Sequence, residues 1–247
     1  MLLSVLQQSV LPNEIIIADD GSTKKTKELI KDYSSKFQSG IQHIWQADSG
    51  FQKTSILNKA IAKAQGNYII QIDGDIVLHK HFIKDHNKTA KKGAFIHGSR
   101  TFLNQKITIN AIQTSSISFS IFKNGIKNRF NGLYSPFLSK IISSNNNNNL
   151  KGTRGCNFSF WKQDFITING YNEDMTGWGK EDTELSIRLI NNNLQKHQLK
   201  CRAVCYHLHH KLSSRRGLNI NNAILELALQ NKIKKCSNGV NKYANRD

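Results

Sequence analysis

Four short stretches of this 247-residue chain bring together side chains that could do chemistry. Asp73-Gly74-Asp75 ends the run Tyr68-Ile69-Ile70-Gln71-Ile72 with two carboxylates one residue apart. Two acids that close repel each other unless a positive group shares them. Oxygen donors of this kind suit a hard divalent ion, Mg2+ or Mn2+, which keeps waters and binds phosphates as well. Asp19-Asp20 closes a second apolar run and is followed by Gly21 and Ser22. Such a pair either caps a turn or offers hydrogen bonds to the base or ribose of a ligand. Gly177-Trp178-Gly179-Lys180-Glu181-Asp182 sets an indole between glycines and then opens a helix on two acids. Acids there complement the helix dipole, and the same dipole keeps a carboxylate ionised, as a general base for a sugar hydroxyl requires. His207, His209 and His210 follow an apolar stretch; in a continuing strand His207 and His209 would share one side and His210 the other. Three imidazoles near carboxylates argue for at least one metal ligand.

The elements that must position these groups alternate through the first hundred residues. Leu2 to Ser9 reads as a helix tail, and Pro12 to Asp20 as a short buried strand. A helix follows over Thr23–Phe37, with Leu29, Ile30, Tyr33 and Phe37 at helical spacing. Ile41–Gln46 is predicted as a strand, Lys53–Gly66 as a helix and Asn67–Asp73 as a strand. Residues 79–92 are predicted as a helix and Ala94–Arg100 as a strand. Strand–helix alternation with short polar joints implies a parallel sheet, in which ligands bind beyond the carboxyl ends of strands. Both acid pairs fall at such ends. From 101 to 150 the pattern dissolves, ending in the low-complexity run Ser143–Leu150. Order resumes with a strand after Arg154, a short helix, a glycine-rich loop and a helix from about Glu181. A strand over 195–211 then ends in the histidines, and a tail helix covers Ile220–Lys235.

Composition narrows the classes. The formal charge is +18, from 35 Lys and Arg against 17 Asp and Glu. That balance allows a polyanionic partner, but the basic residues are scattered and do not interleave with aromatics as a nucleic-acid stacking platform requires. No apolar run approaches a membrane span, no signal segment opens the chain, and the four cysteines form no pair motif. A cytoplasmic protein with reduced thiols is expected, with peripheral contact at the anionic inner face of the membrane as an option for the basic tail helix.

In their order and spacing, Ile15–Ser22, Ser49–Ile61, Ile69–Asp75, Gly155–Leu185 and Ala203–Lys211 resemble the family-2 glycosyltransferases of GT-A fold. Specifically, they resemble bacterial members with a galactosyltransferase-type carboxyl-terminal module. The resemblance covers residues 1 to 211, less well between 101 and 150. It implies a mostly parallel, Rossmann-like α/β sheet with helices on both faces. It also implies a nucleotide-sugar half at 1–100, an acceptor-side variable region at 101–154, a catalytic and acceptor half at 155–211 and a basic helical tail at 212–247. Asp19 and Asp20 match acids that contact uracil and ribose. Asp73 and Asp75 match the DxD motif, with Asp75 the direct metal ligand and Asp73 nearer the ribose. Asp182 matches the general base, Glu181 an acceptor contact, Trp178 the sugar site, and His207 a metal ligand with His210 as alternative. Lys53 is assigned to the nucleotide.

The function this implies is inverting transfer of a hexose or N-acetylhexosamine from a UDP-sugar to a saccharide or lipid-linked acceptor, with Mn2+ or Mg2+, in bacterial surface polysaccharide synthesis. One departure stands out: the family's usual first central strand has no counterpart. The chain opens inside what would be the following helix, which implies a start further upstream. Two rival readings follow, a catalytically impaired nucleotide-sugar binder and a metal-dependent sugar or phosphate hydrolase.

Overall fold

The computed structural model describes residues 1–143, 150, 152–211, 215 and 217–243; the asparagine run 145–149 lies outside them. In chain order the first elements are α1 (Leu2–Leu6), β1 (Ile16–Asp20), α2 (Lys24–Ser34), β2 (Gln42–Gln46), α3 (Lys53–Lys63) and β3 (Tyr68–Gln71). Then come β4 (Ile76–Leu78), α4 (Phe82–Thr89), β5 (Ala94–Gly98), β6 (Thr101–Leu103), α5 (Gln105–Thr114), β7 (Ile126–Lys127) and α6 (Pro136–Ile142). The last are β8 (Phe158–Trp161), α7 (Lys162–Thr167), α8 (Glu181–Asn191), β9 (Gln195–Leu199), β10 (Cys205–His207) and α9 (Leu218–Gln230).

Two expectations need correction. The Asp73-Gly74-Asp75 turn leads into a short strand, β4, that the alternation did not include, and the helix expected over 79–92 is confined to Phe82–Thr89. The single strand expected over 195–211 is two, β9 and β10, in different sheets. Cys201 and Ala203 between them have φ of 55° and 45°, a left-handed backbone that no strand can continue through. The ambiguous stretch after Leu103 resolves as α5. Its start is capped by the Asn104 side chain, which accepts the Ile107 N–H at 2.9 Å, and its end is left-handed at Ser115.

Internal contacts divide the chain into two compact units. One comprises Met1–Leu11, Ile70–Phe160 and Gln195–Leu212; the other comprises Pro12–Ile69, Trp161–Leu194 and Ser213–Asp247. In the first unit, β10 pairs antiparallel with β4 and parallel with β6, and β6 pairs antiparallel with β7. Val77, Leu103, Ile107, Ile126, Val204 and Tyr206 form the apolar cluster under that sheet. In a second sheet β5 runs parallel to β9 and antiparallel to β8. Helix α1 is tied to β4 by side chains: Ser4 Oγ accepts the Leu78 N–H at 3.0 Å, and Gln8 donates to the His79 carbonyl at 2.9 Å.

In the second unit β1 and β2 pair in parallel, with Asp19 opposite Trp45 and Asp20 opposite Gln46. Helix α3 packs on them with Ile56, Ala60 and Ile61 buried. Asn58, also on α3 and fully buried, donates to the Tyr171 carbonyl and accepts the Tyr171 N–H, both at 2.8 Å. Gly170, at φ 66°, allows that close approach; a Cβ there would lie 2.5 Å from Asn58 Oδ1. The tail helix α9 packs on α8, burying Leu225 and Ala228.

Candidate active site

The first unit gathers a carboxylate and two imidazoles. Asp75 precedes β4, and β10 runs antiparallel with His207 opposite Ile76; the Leu208 N–H extends that ladder by donating to the Asp75 carbonyl at 2.9 Å. The ladder therefore sets His207 beside Asp75, with Nε2 3.4 Å from Oδ2. Because the strand ends at His207, the chain turns and His210 arrives on the same side, its Nε2 3.0 Å from Oδ2. His209 is held elsewhere, its N–H on Thr108 Oγ1 at 2.8 Å. The alternation expected of a continuing strand thus fails, and the pair that meets is His207 and His210.

Donor atoms of Asp75, His207 and His210 all lie within 4.8 Å of one another. Three observations show that this set fits a divalent cation. Nδ1 of His207 lies 2.9 Å from the Leu208 carbonyl and Nδ1 of His210 lies 2.6 Å from the Lys211 carbonyl. A carbonyl only accepts, so each Nδ1 carries a proton and Nε2 is the ring nitrogen turned to Asp75, the atom that a neutral ring offers to a metal ion. Both Nε2 atoms face Asp75 Oδ2, where they can pair with it as imidazolium donors or share a cation with it. Finally, Asp75 Oδ1 is buried with no hydrogen-bond partner among the described residues, a state that costs about 1–3 kcal/mol unless a ligand satisfies it. Burial pushes His207 below the ordinary histidine range, against the opposing pull of Asp75. Arg100 adds to that push, and its guanidinium sits 4.6 Å from the Phe102 ring, itself 5.4 Å from the His207 ring. Asp73 stands outside the cluster among the described residues. At Gly74 a Cβ would meet nothing within 4 Å, so packing within the chain does not demand glycine there.

In the second unit the strand-end pair Asp19 and Asp20 is engaged by its own chain. Asp19 accepts the Ser22 N–H at 2.9 Å, the Ser22 hydroxyl at 2.5 Å and His43 Nε2–H at 2.7 Å. Burial alone would raise its pKa, but these bonds outweigh it and hold the carboxyl below its usual value. Asp20 accepts from the Gln46 amide at 2.6 Å and the Gln52 N–H at 2.7 Å. The geometry is that of a turn lock at the end of β1, with Gly21 at φ 85° folded against Asp48.

The tip of α8 holds a second cluster. Gly177 and Gly179 take φ of 76° and 113° and Lys180 takes 76°, so the loop doubles back before the helix starts. Glu181 accepts the Gly179 N–H at 3.0 Å, and Asp182 accepts the Tyr171 hydroxyl at 2.9 Å. Lys53 Nζ lies 3.5 Å from both Glu181 and Asp182. Burial, then the charge of Asp182, pushes the Glu181 carboxyl up, with Lys53 opposing. The lysine assigned to the nucleotide is thus placed against the acids. Trp178 is partly exposed, with the Arg215 guanidinium 5.8 Å from its ring centre. One turn along, Glu184 takes a two-pronged bond from the fully buried Arg188 at 2.7 Å on each prong, and Arg188 also donates to the Ile168 carbonyl at 2.6 Å. Tyr171 and Arg188 escape the sequence reading. Arg188 leaves an i, i+4 trace with Glu184, but the reach of Tyr171 depends on how the 169–175 loop folds.

A model described as glycosyl transferase family 2 matches residues 1–165, and one described as the N-terminal domain of galactosyltransferase matches residues 136–211. Chondroitin synthase of Escherichia coli is 24% identical over 212 residues, covering 74% of this chain and 28% of that protein. Poly-beta-1,6-N-acetyl-D-glucosamine synthase of Staphylococcus epidermidis is 31% identical over 117 residues, covering 46% of this chain and 27% of that protein. The chain therefore spans little more than a quarter of the length of either relative. The crystal structure of S. aureus TarS superposes with a TM-score of 0.63 at 16% identity, over 94% of this chain and 60% of that one. TarS has also been solved in complex with UDP and with UDP-GlcNAc. The shared fold is a GT-A-type, Rossmann-like α/β architecture.

Proposed function

The chain belongs to glycosyl transferase family 2, and on that premise we propose that it moves a hexose or N-acetylhexosamine from a UDP-sugar to a saccharide or lipid-linked acceptor in bacterial polysaccharide synthesis. The observation that carries this reading is the Asp75, His207 and His210 cluster, with both Nε2 atoms turned to the carboxylate and Asp75 Oδ1 buried and unbonded among the described residues. These three residues would hold a divalent cation. Two imidazoles and one carboxylate favour Mn2+ over Mg2+, which prefers an all-oxygen shell. When bound, the cation supplies positive charge to a departing diphosphate.

The remaining roles belong to the chain's own groups. In the second unit Asp182 is the base that takes the proton from the acceptor hydroxyl; Tyr171 orients its carboxylate, and Lys53 and the first turn of α8 favour its charged form. Glu181 and Trp178 contact sugar, and Asp19 and Asp20 shape the nucleotide-facing turn, offering the base and ribose the lone pairs that Ser22, His43, Gln46 and Gln52 leave open. Asp73 is assigned to the ribose. A single displacement at the anomeric carbon gives inversion.

The test is UDP release from a panel of UDP-sugars with Mn2+, with Mg2+ and with EDTA, each with and without a glycan acceptor. Acceptor-dependent release that EDTA abolishes supports the proposal. Equal release without acceptor would make the protein a hydrolase, and nucleotide binding without turnover would make it a binder.

A further inference from the structure

We propose that the surface formed by residues 122–142 of the first unit is a docking site for an anionic lipid bilayer, with Phe137 and Ile141 entering the headgroup layer. This goes beyond the transfer reaction and does not depend on it.

The starting point is α6, which is turned inside out. Its Ser139 is 3% exposed, whereas Phe137 and Ile141, one turn apart on a common face, are 73% and 67% exposed. Leu138 and Ile142 are exposed too, and the same segment shows Phe122 at 80% and Phe130 at 79%. Scattered exposed apolar residues are ordinary. A helix that buries its serine and presents its phenylalanine and isoleucine needs an apolar phase to meet them.

Charge identifies that phase. Between Asp85 and Asp164 the chain contains no Asp or Glu, while Lys123, Lys127, Arg129 and Lys140 accompany the exposed apolar side chains. Lysine is depleted in protein–protein interfaces. Lys and Arg around exposed Phe and Ile, in a segment that carries no acid of its own, is the pattern of a surface that lies in the headgroup region of an anionic membrane.

The inner side of α6 agrees. Ser139, Lys140 and Ser143 line a cavity of about 170 Å3 together with Thr89, His197, Gln198 and Arg202, and no carboxylate lines it among the described residues. Arg202 Nε and His197 Nε2 are buried there without a hydrogen-bond partner. The acid that Arg202 acts on, Asp85, is turned to the Ala203 N–H at 3.0 Å and the Tyr134 hydroxyl at 3.4 Å. Beneath the apolar face, Lys140 and Arg202 thus line the cavity with no carboxylate among its described lining residues.

The experiment is vesicle flotation of the full chain, with phosphatidylcholine alone and with phosphatidylcholine plus phosphatidylglycerol. Binding is expected only with phosphatidylglycerol and should weaken as salt is added. Replacing Phe137 and Ile141 together by serine should lower affinity by about tenfold or more. Lys127→Gln with Lys140→Gln should cost about tenfold. All four side chains are exposed, so the melting curve should not move. Leu227→Ser, at an exposed position on α9, should leave flotation unchanged. Equal binding to neutral vesicles, or unchanged binding by the serine variant, overturns the proposal. So does self-association of the wild type that the serine variant abolishes without any vesicle binding, which would give the face to a second copy of the chain.

Discussion

The Asp75 cluster in one unit and the α8 tip in the other both set carboxylate against nitrogen, yet their polar atoms are treated in opposite ways. At the α8 tip each carboxylate has a donor from its own chain: Gly179 N–H for Glu181, the Tyr171 hydroxyl for Asp182 and the Lys53 ammonium for both. Around Asp75 the backbone holds one proton of each imidazole on the far nitrogen, so that both Nε2 atoms and a buried oxygen, unbonded among the described residues, face one another. The first arrangement is complete within the protein; the second keeps an open acceptor. On the proposed reading the α8 tip is arranged for proton transfer and the Asp75 cluster for cation binding.

Substitutions can break or sharpen this distinction. The largest effect is expected from Asp182→Asn, which keeps the Tyr171 contact but cannot accept a proton: turnover should fall roughly a thousandfold while UDP affinity, read by calorimetry, is unchanged. Asp75→Ala should do the reverse, weakening Mn2+-dependent UDP binding by about a hundredfold or more, with EDTA having no further effect. If Asp182→Asn lost UDP and Asp75→Ala kept it, the division of labour would be inverted.

A third prediction uses a histidine that, unlike His207 and His210, is fully satisfied. His86 is completely buried, with Nε2 3.0 Å from Asn157 Oδ1 and Nδ1 2.8 Å from Ser159 Oγ. Asn157 Nδ2 donates to the Ser99 and Ala203 carbonyls, so its Oδ1 accepts from His86 and the Ser159 hydroxyl donates to the other ring nitrogen. Burial lowers the His86 pKa from 6.5 to about 4. The unfolded chain therefore binds the extra proton first. The stability this group contributes is present above pH 6.5, is lost as pH falls, and is gone at about pH 4. Between about pH 7 and pH 5 the loss should be of order 2 kcal/mol in chemical denaturation, and His86→Gln should flatten that slope. The smallest effect is expected from Tyr171→Phe. Removing one hydrogen bond to Asp182 should lower kcat about tenfold and shift the acidic limb of its pH profile, with KM for the donor unchanged.

Much of this was legible in the residues. The helices at 24–34, 53–63 and 181–191 follow from apolar spacing, and both acid pairs lie at strand ends as the alternation implied. Illegible parts share a cause, which is distance along the chain. His210 joins Asp75 only because β10 stops at His207, a boundary set by pairing with Ile76 and Phe102 that local pattern cannot express. Lys53 meets Glu181 and Asp182 across 128 and 129 residues. In 101–143 the periodicity is blurred because buried Leu103, Ile107 and Ile126 alternate with large apolar side chains that face outward, such as Ile112, Phe122, Phe130 and Phe137.

The Glu184–Arg188 pair has a wider consequence for how this catalyst can change. Arg188 fastens the middle of α8 from within, by three charge-assisted bonds that no solvent reaches. A helix so riveted cannot tilt or rotate without leaving a charge stranded in the interior. On the proposed reading, in which the acceptor meets its tip, new acceptor preferences evolve in the loops around that tip while the helix itself stays a fixed post.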